Sequence, residues 1–126
     1  MVRSVMLGLG VAIGIAMVGG AARADGNAAD GEKVFRKLCS ACHVVQAGQN
    51  KLGPSLHGIV GRKAGTVDGF RYSDANKNSG VMWAPDKLDP YLKDPKAFMP
   101  GNRMAFAGVK KDGERKDLIA YLASLK

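Results

Sequence analysis

Two cysteines, two histidines and one tryptophan in 126 residues leave little material for several familiar chemistries. Two cysteines cannot build a disulfide scaffold, and alone they cannot close a four-cysteine zinc site. Acidic residues are scarce as well, 11 against 19 Lys and Arg, which gives a formal net charge of +8. The charged share of 24% and hydrophobic share of 46% lie near the globular average, which argues against wholesale disorder, collagen-like repetition and a multi-span membrane protein. The length allows one domain. What is plentiful is glycine, with 17 residues.

The apolar residues are unevenly spread. Met1 to Ala24 holds one early charge, Arg3, then an apolar run from Val5 to Val18, then Gly-Gly-Ala-Ala-Arg-Ala. This pattern predicts a secretory signal peptide over residues 1–24, cut after Ala24, and a periplasmic location. The alternative is an uncleaved anchor, but its glycines and short apolar core make a poor span of about 20 residues. No cysteine follows the cut, which excludes a lipoprotein anchor. Removing the segment takes Arg3 and Arg23 with it and leaves residues 25–126 with a net charge of +6. A domain of this size buries only about two thirds of its unfolded surface and is marginal without a staple, a metal or a cofactor.

The cysteine pair lies in Cys39-Ser40-Ala41-Cys42-His43. A thioredoxin-like redox pair needs a βαβ setting, and no alternating strand pattern flanks the motif. A zinc site needs further ligands, and the other histidine is His57. Covalent haem attachment uses two thiols three residues apart to add to the two vinyl groups of a porphyrin, while the next residue, His, points at the iron. Haem accounts for all three residues at this spacing.

A haem would also explain the rest of the chain. Asn27 with Asp30 reads as an N-cap, and Val34, Phe35 and Leu38 follow at near-helical spacing, so a helix is expected from about Ala28 to Ala41 with the thiols on its final turns. Leu118, Ile119, Tyr121, Leu122 and Leu125 mark an amphipathic helix starting near Asp112 and Gly113. The span between is rich in Gly, Pro, Asn and Ser, with a short helical candidate at about Asp86 to Lys93. So long an irregular stretch needs something to fold around. For a second iron ligand the candidates are Met82, Met99, Met104 and His57. Met104 follows the stiff turn Pro100-Gly101-Asn102-Arg103 and is preferred, Met82 and Met99 read as core packing, and His57 as a surface or hydrogen-bonding residue.

At this point the chain resembles the class I c-type cytochromes, the family that includes mitochondrial and short periplasmic bacterial cytochromes c. The resemblance rests on several segments: Cys-Ser-Ala-Cys-His at 39–43, Leu-Gly-Pro-Ser-Leu-His-Gly at 52–58, Gly-Arg-Lys at 61–63, Gly-Phe-Arg-Tyr-Ser-Asp-Ala-Asn-Lys-Asn at 69–78, Trp83, Tyr-Leu-Lys-Asp-Pro-Lys at 91–96, Met-Pro-Gly-Asn-Arg-Met-Ala-Phe-Ala-Gly at 99–108 and Asp-Leu-Ile-Ala-Tyr-Leu at 117–122. It implies an all-α fold over 25–126, with crossing N- and C-terminal helices and short helices and loops wrapped around one covalent haem c. Gly31 and Phe35 would meet Leu118 and Tyr121 at the crossing.

The resemblance further implies thioethers at Cys39 and Cys42 and axial iron ligands His43 and Met104. Pro54 would pack near the His43 ring, with its neighbour's carbonyl accepting the imidazole N–H. Arg62, Tyr72, Ser73 and Trp83 would serve the haem propionates, Asn76 and Tyr91 a polar network beside the Met104 sulfur, and Phe106 the haem edge. Two departures stand out. Asn102 replaces a usual threonine, so a propionate contact is expected to be lost or remade by the amide. Pro90 falls inside the short helix bearing Tyr91, so that helix is expected to begin later or kink.

The implied function is a soluble, monomeric, high-potential one-electron carrier, not an enzyme. Iron with both axial positions filled gains or loses an electron and binds little else. The alternative is a five-coordinate haem enzyme or gas-binding haem protein, which requires Met104 to be displaced. Lys37, Lys51, Lys96, Arg103, Lys110 and Lys111 would dock acidic partners at the haem edge. Those partners would be a cytochrome bc complex as donor and an oxidase, reaction centre or reductase as acceptor. The positive charge forms no tract, which argues against nucleic acid, and no stable membrane insertion is expected.

Overall fold

The computed structural model describes residues 26–126; the signal-peptide reading of residues 1–24 and the cut after Ala24 lie outside the described residues. The first helix, α1, runs Ala28–Leu38. It starts where the sequence places it, because the Asn27 side chain accepts a hydrogen bond from the Asp30 N–H at 3.1 Å and satisfies a donor the helix cannot. It ends three residues earlier than expected. Ser40 turns its hydroxyl back onto the Arg36 carbonyl at 2.6 Å, and its N–H reaches the Phe35 carbonyl at 3.0 Å, so the last turn distorts and closes. The two cysteines therefore sit beyond the helix in tight turns.

The last helix, which we call α5 in chain order, spans Asp112–Ser124. Asp112 and Glu114 lie in its first turn, where carboxylates oppose the positive helix end. Its buried face carries Leu118, Ile119 and Leu122. This face crosses α1. Gly31 is buried at the crossing, and a Cβ there would run into the Asp117 carbonyl and the Tyr121 Cβ, so only glycine lets the two backbones approach. Phe35 packs on Tyr121 with ring centroids 5.7 Å apart, and the Asn27 N–H donates to the Asp117 carboxylate at 2.8 Å. The crossing foreseen from Gly31, Phe35, Leu118 and Tyr121 is present.

Three short helices lie between: α2 (Asp74–Lys77), α3 (Pro85–Lys93) and α4 (Pro95–Phe98). The described residues contain no strand, only one antiparallel bridge between Lys63 and Met82. The fold is all-α, as expected. Helices α2 and α4 are single turns set by their caps. Ser73 accepts from the Asn76 N–H at 3.1 Å, and Asp94 accepts from the Ala97 N–H at 3.2 Å just before Pro95. Helix α3 begins at Pro85 and continues through Pro90 rather than starting after it. Pro90 and Asp86 are both exposed, so water can serve the carbonyl that Pro90 leaves without a donor.

Two expectations about the core need correcting or confirming. Met82 is 53% exposed and packs no core, whereas Met99 is 4% exposed and does. Arg115 is an unexpected buried cation. Its Nε donates to Asp89 at 2.6 Å, one Nη to Asp112 at 2.7 Å and the other to the Val109 carbonyl at 3.0 Å, tying α3, α5 and the segment before α5 together.

Candidate functional site

The end of α1 and the turns after it face a cavity of about 510 Å³ that runs into the middle of the molecule. All twelve residues singled out for a cofactor line it. Cys39, Cys42 and His43 come from the turns, in which the Cys42 N–H and His43 N–H donate to the Cys39 carbonyl at 3.1 and 2.9 Å. Neither cysteine is in a disulfide. Burial, reinforced by the neighbouring Cys42, pushes the Cys39 thiol up to about 11.

The His43 ring is fixed by two contacts. Its Nδ1 lies 2.8 Å from the carbonyl of Pro54, so Nδ1 carries the proton and Nε2 keeps a lone pair for a metal. The acceptor is the carbonyl of Pro54 itself, not of its neighbour. Gly53 lies flat against the ring, where a Cβ would come within 2.6 Å of Nδ1. Burial lowers the affinity of His43 for a second proton, opposed in part by the Pro54 bond and assisted by the Arg62 charge.

Arg62, Tyr72, Ser73 and Trp83 line the cavity, the first three with some of their polarity already committed. The Arg62 guanidinium donates to the Ser55 and His57 carbonyls at 3.0 and 3.1 Å and keeps further N–H groups for an anion. The Tyr72 oxygen accepts from the Val67 N–H at 3.1 Å, and the Ser73 oxygen caps α2; each hydroxyl hydrogen stays available. Trp83 packs on Tyr91 with centroids 4.7 Å apart and ring planes inclined by 50°. His57 is half-buried and outside the cavity lining.

Met104 enters from the irregular segment after α4. The Tyr91 hydroxyl points at its sulfur, 3.8 Å away, and burial pushes the Tyr91 phenol up to about 12. Pro90 does not displace Tyr91. Asn76 lines the same space and holds the single buried side-chain polar atom among the described residues that lacks a partner, Oδ1. Phe106 is half-buried at the cavity wall. The Asn102 amide nitrogen is committed within the chain: its Nδ2 donates to the Pro95 and Met99 carbonyls, each at 2.8 Å. Sequence reasoning also missed the apolar lining from Leu56, Leu88 and Leu92, and it named Leu118 and Leu122 as a helix face without assigning them to the cavity. The i, i+4 spacing within each leucine pair on α3 and α5 was the available signal.

A flat apolar macrocycle with an acidic edge suits this space. Leucines supply the wall, Arg62 and two hydroxyls supply polar contacts, and the orphaned Asn76 oxygen marks a polar point inside. Two thiols suit covalent attachment to the macrocycle, and an imidazole with a free Nε2 and a thioether make a donor pair fit for haem iron. A shallower cleft of about 310 Å³ beside Phe98 and Pro100 has no ionisable lining group.

The cytochrome c family model matches residues 28–126. The chain belongs to the cytochrome c family. It is 53% identical over 98 residues to cytochrome c type-1 of Ascaris suum, covering 78% of this chain and 88% of that protein. It is 65% identical over 81 residues to cytochrome c of Trypanosoma brucei brucei, covering 64% and 87% respectively. Cytochrome c of Arabidopsis thaliana is 49% identical over 99 residues, covering 78% and 88%. As a cytochrome c, the chain is an electron carrier rather than an enzyme, and it binds one covalently attached haem c with its iron. The cavity and the Cys39-to-His43 motif are where this family membership meets the geometry.

Proposed function

We propose that this cytochrome c is an exported periplasmic carrier whose iron is held by His43 and Met104, with Cys39 and Cys42 as the thioether anchors. It would take electrons from a cytochrome bc complex and pass them to an oxidase, reaction centre or reductase. One observation carries the ligation: His43, with Nδ1 tied to Pro54, and Met104, with its sulfur under the Tyr91 hydroxyl, line the same cavity.

When bound, the haem supplies a reversible one-electron change at iron. The chain's residues do the rest. The Pro54 carbonyl polarises the His43 imidazole and raises its donor strength toward iron. The Met104 thioether favours the reduced state, and the leucine-lined wall disfavours added charge, so both raise the potential. Arg62, Tyr72, Ser73 and Trp83 would meet the propionates and keep their charge from lowering it. Asn76 and Tyr91 order the polar space beside the sulfur, and Phe106 shields the haem edge. With His43 and Met104 both holding the iron, small ligands would be kept off it.

Lys37, Lys96 and Lys111 are exposed, and Lys51 and Lys110 donate to the Ser40 and Lys93 carbonyls. Arg103 is tied to the Tyr72 carbonyl at 2.8 Å. This basic set would steer acidic partners to the haem edge, accelerating association at low salt. Optical spectra of the exported protein in both oxidation states, with carbon monoxide added to the reduced form, test the ligation. A low-spin spectrum indifferent to carbon monoxide is expected; rapid binding at neutral pH would replace this reading with the five-coordinate one. The mass of the mature chain should correspond to a start at Asp25. Partner reduction rates should fall as ionic strength rises, and flat rates would remove the docking role of the lysines.

A further inference from the structure

The segment from Met99 to Gly108 contains no helix or strand, yet it presents one sulfur at a fixed point in the cavity. A single side chain accounts for much of that order. Asn102 is 8% exposed, and its amide makes three hydrogen bonds. Nδ2 donates to the Pro95 carbonyl and to the Met99 carbonyl, both at 2.8 Å, and Oδ1 accepts from the Met104 N–H at 2.9 Å. Two carbonyls require the nitrogen and an N–H requires the oxygen, so the partners fix which way the amide faces.

The two ends of this brace differ. Pro95 opens α4 and its side chain is among the most fully buried in the molecule, while Met99 closes α4 and is itself core. These are rigid anchors. Met104 is the element that needs holding. Both Nδ2 hydrogens are spent on the anchors, so the amide has no donor left for a haem propionate. Tyr91 touches the Met104 sulfur through one long contact, and Arg103 ties the neighbouring residue to the Tyr72 carbonyl, but neither fixes the Met104 backbone.

We propose that Asn102 is a positioning residue for the distal ligand: its amide locks the Met104 backbone to both ends of α4 and sets how readily the sulfur leaves the iron. This inference rests on the reading of Met104 as axial ligand. Detachment of the loop must break hydrogen bonds that share one buried amide, so it is cooperative, and removing the amide makes local opening separable from global unfolding.

The test uses ferric holoprotein titrated with urea. The sulfur-to-iron charge-transfer band reports ligation, and far-UV circular dichroism reports the helices. In Asn102→Ala the band should disappear at lower urea than the helical signal, with the ligand-detached population raised roughly ten- to hundredfold over the parent, as expected for losing two or three buried hydrogen bonds. Asn102→Ser keeps an acceptor for the Met104 N–H but is too short to reach Pro95, and should give an intermediate separation. An Asn102→Ala protein whose two transitions keep the parent's spacing would overturn the proposal. If that variant does not accumulate with haem attached, Asn102→Ser decides by the same spacing. Met104→Ala separates the two readings: the band should vanish without denaturant, and its persistence would show that the ligand assignment, and the brace with it, is wrong.

Discussion

His43 and Met104 reach one cavity from segments held in different ways. The proximal side is local: Cys39, Cys42 and His43 fall within five residues, their turns bond back to the Cys39 carbonyl, and Pro54 and Gly53 pin the ring from eleven and ten residues away. The distal side is assembled from Tyr91 on α3, the anchors of α4, and Asn102. A covalent anchor needs little tertiary support, whereas a ligand held by one sulfur contact and one amide depends on everything packed behind it. The difference predicts that damage on the proximal side removes the cofactor and damage on the distal side only releases a ligand.

The largest effect should come from His43→Ala. Without the imidazole the turns still present two thiols, but nothing binds iron on that face, and no stable holoprotein should accumulate in an attachment-competent host. Normal yields of low-spin protein would break the asymmetry at its root. Met104→Ala should be milder. Haem should remain attached, the potential should fall because a thioether no longer favours Fe(II), and the reduced protein should bind carbon monoxide. An unchanged potential would mean that sulfur is not the ligand.

Gly53→Ala probes the proximal side without removing a ligand. The added Cβ meets the imidazole at less than ordinary contact distance, so either the ring or the 52–55 loop must move. We expect a cost of about 1–3 kcal/mol in chemical denaturation of the holoprotein, with haem still covalently bound and the axial spectrum broadened. A fully wild-type spectrum and midpoint would show that the His43 ring is less tightly held than its contacts imply.

The same asymmetry decides what the sequence discloses. The family resemblance implied the crossing of α1 and α5, but Cys39 to His43 and the two helices themselves were legible because attachment spacing, the Asn27 cap and 3.6-residue periodicity are local signals. The early end of α1 was not, since it depends on whether the Ser40 hydroxyl turns back to Arg36. The four-residue helix α4 had a readable signature in Asp94 before Pro95, a cap followed by proline at the first helical position, that went unused. Asn102 was noticed only as a departure from a pattern. Its partners lie at −7, −3 and +2, and no periodicity selects them; they come together only once α4 has folded. The self-contained acceptor at Pro54 and the exposure of Met82 likewise follow from loop paths rather than residue types.

The smallest predicted effect sharpens the distal half further, at the foot of the Met104 segment. Arg115 holds the Val109 carbonyl while its guanidinium bonds Asp89 and Asp112, so the chain leaving the distal loop is moored to α3 and α5. Hydrogen bonding from Arg115, followed by its charge, keeps the Asp112 carboxyl below the usual carboxylate range. A carboxyl with a lowered folded pKa stabilises the fold fully above its unfolded value, about 3.9, and loses that contribution as pH falls through the lower folded value. Asp112→Asn should therefore be slightly less stable than the parent at neutral pH, and the two should converge in acid below that window. Asp112 is exposed, so high salt should shrink the difference. Urea midpoints of the holoproteins across this pH range check the sign. A difference that stayed flat across this range would mean that Arg115 stabilises the loop foot through Asp89 and Val109 alone.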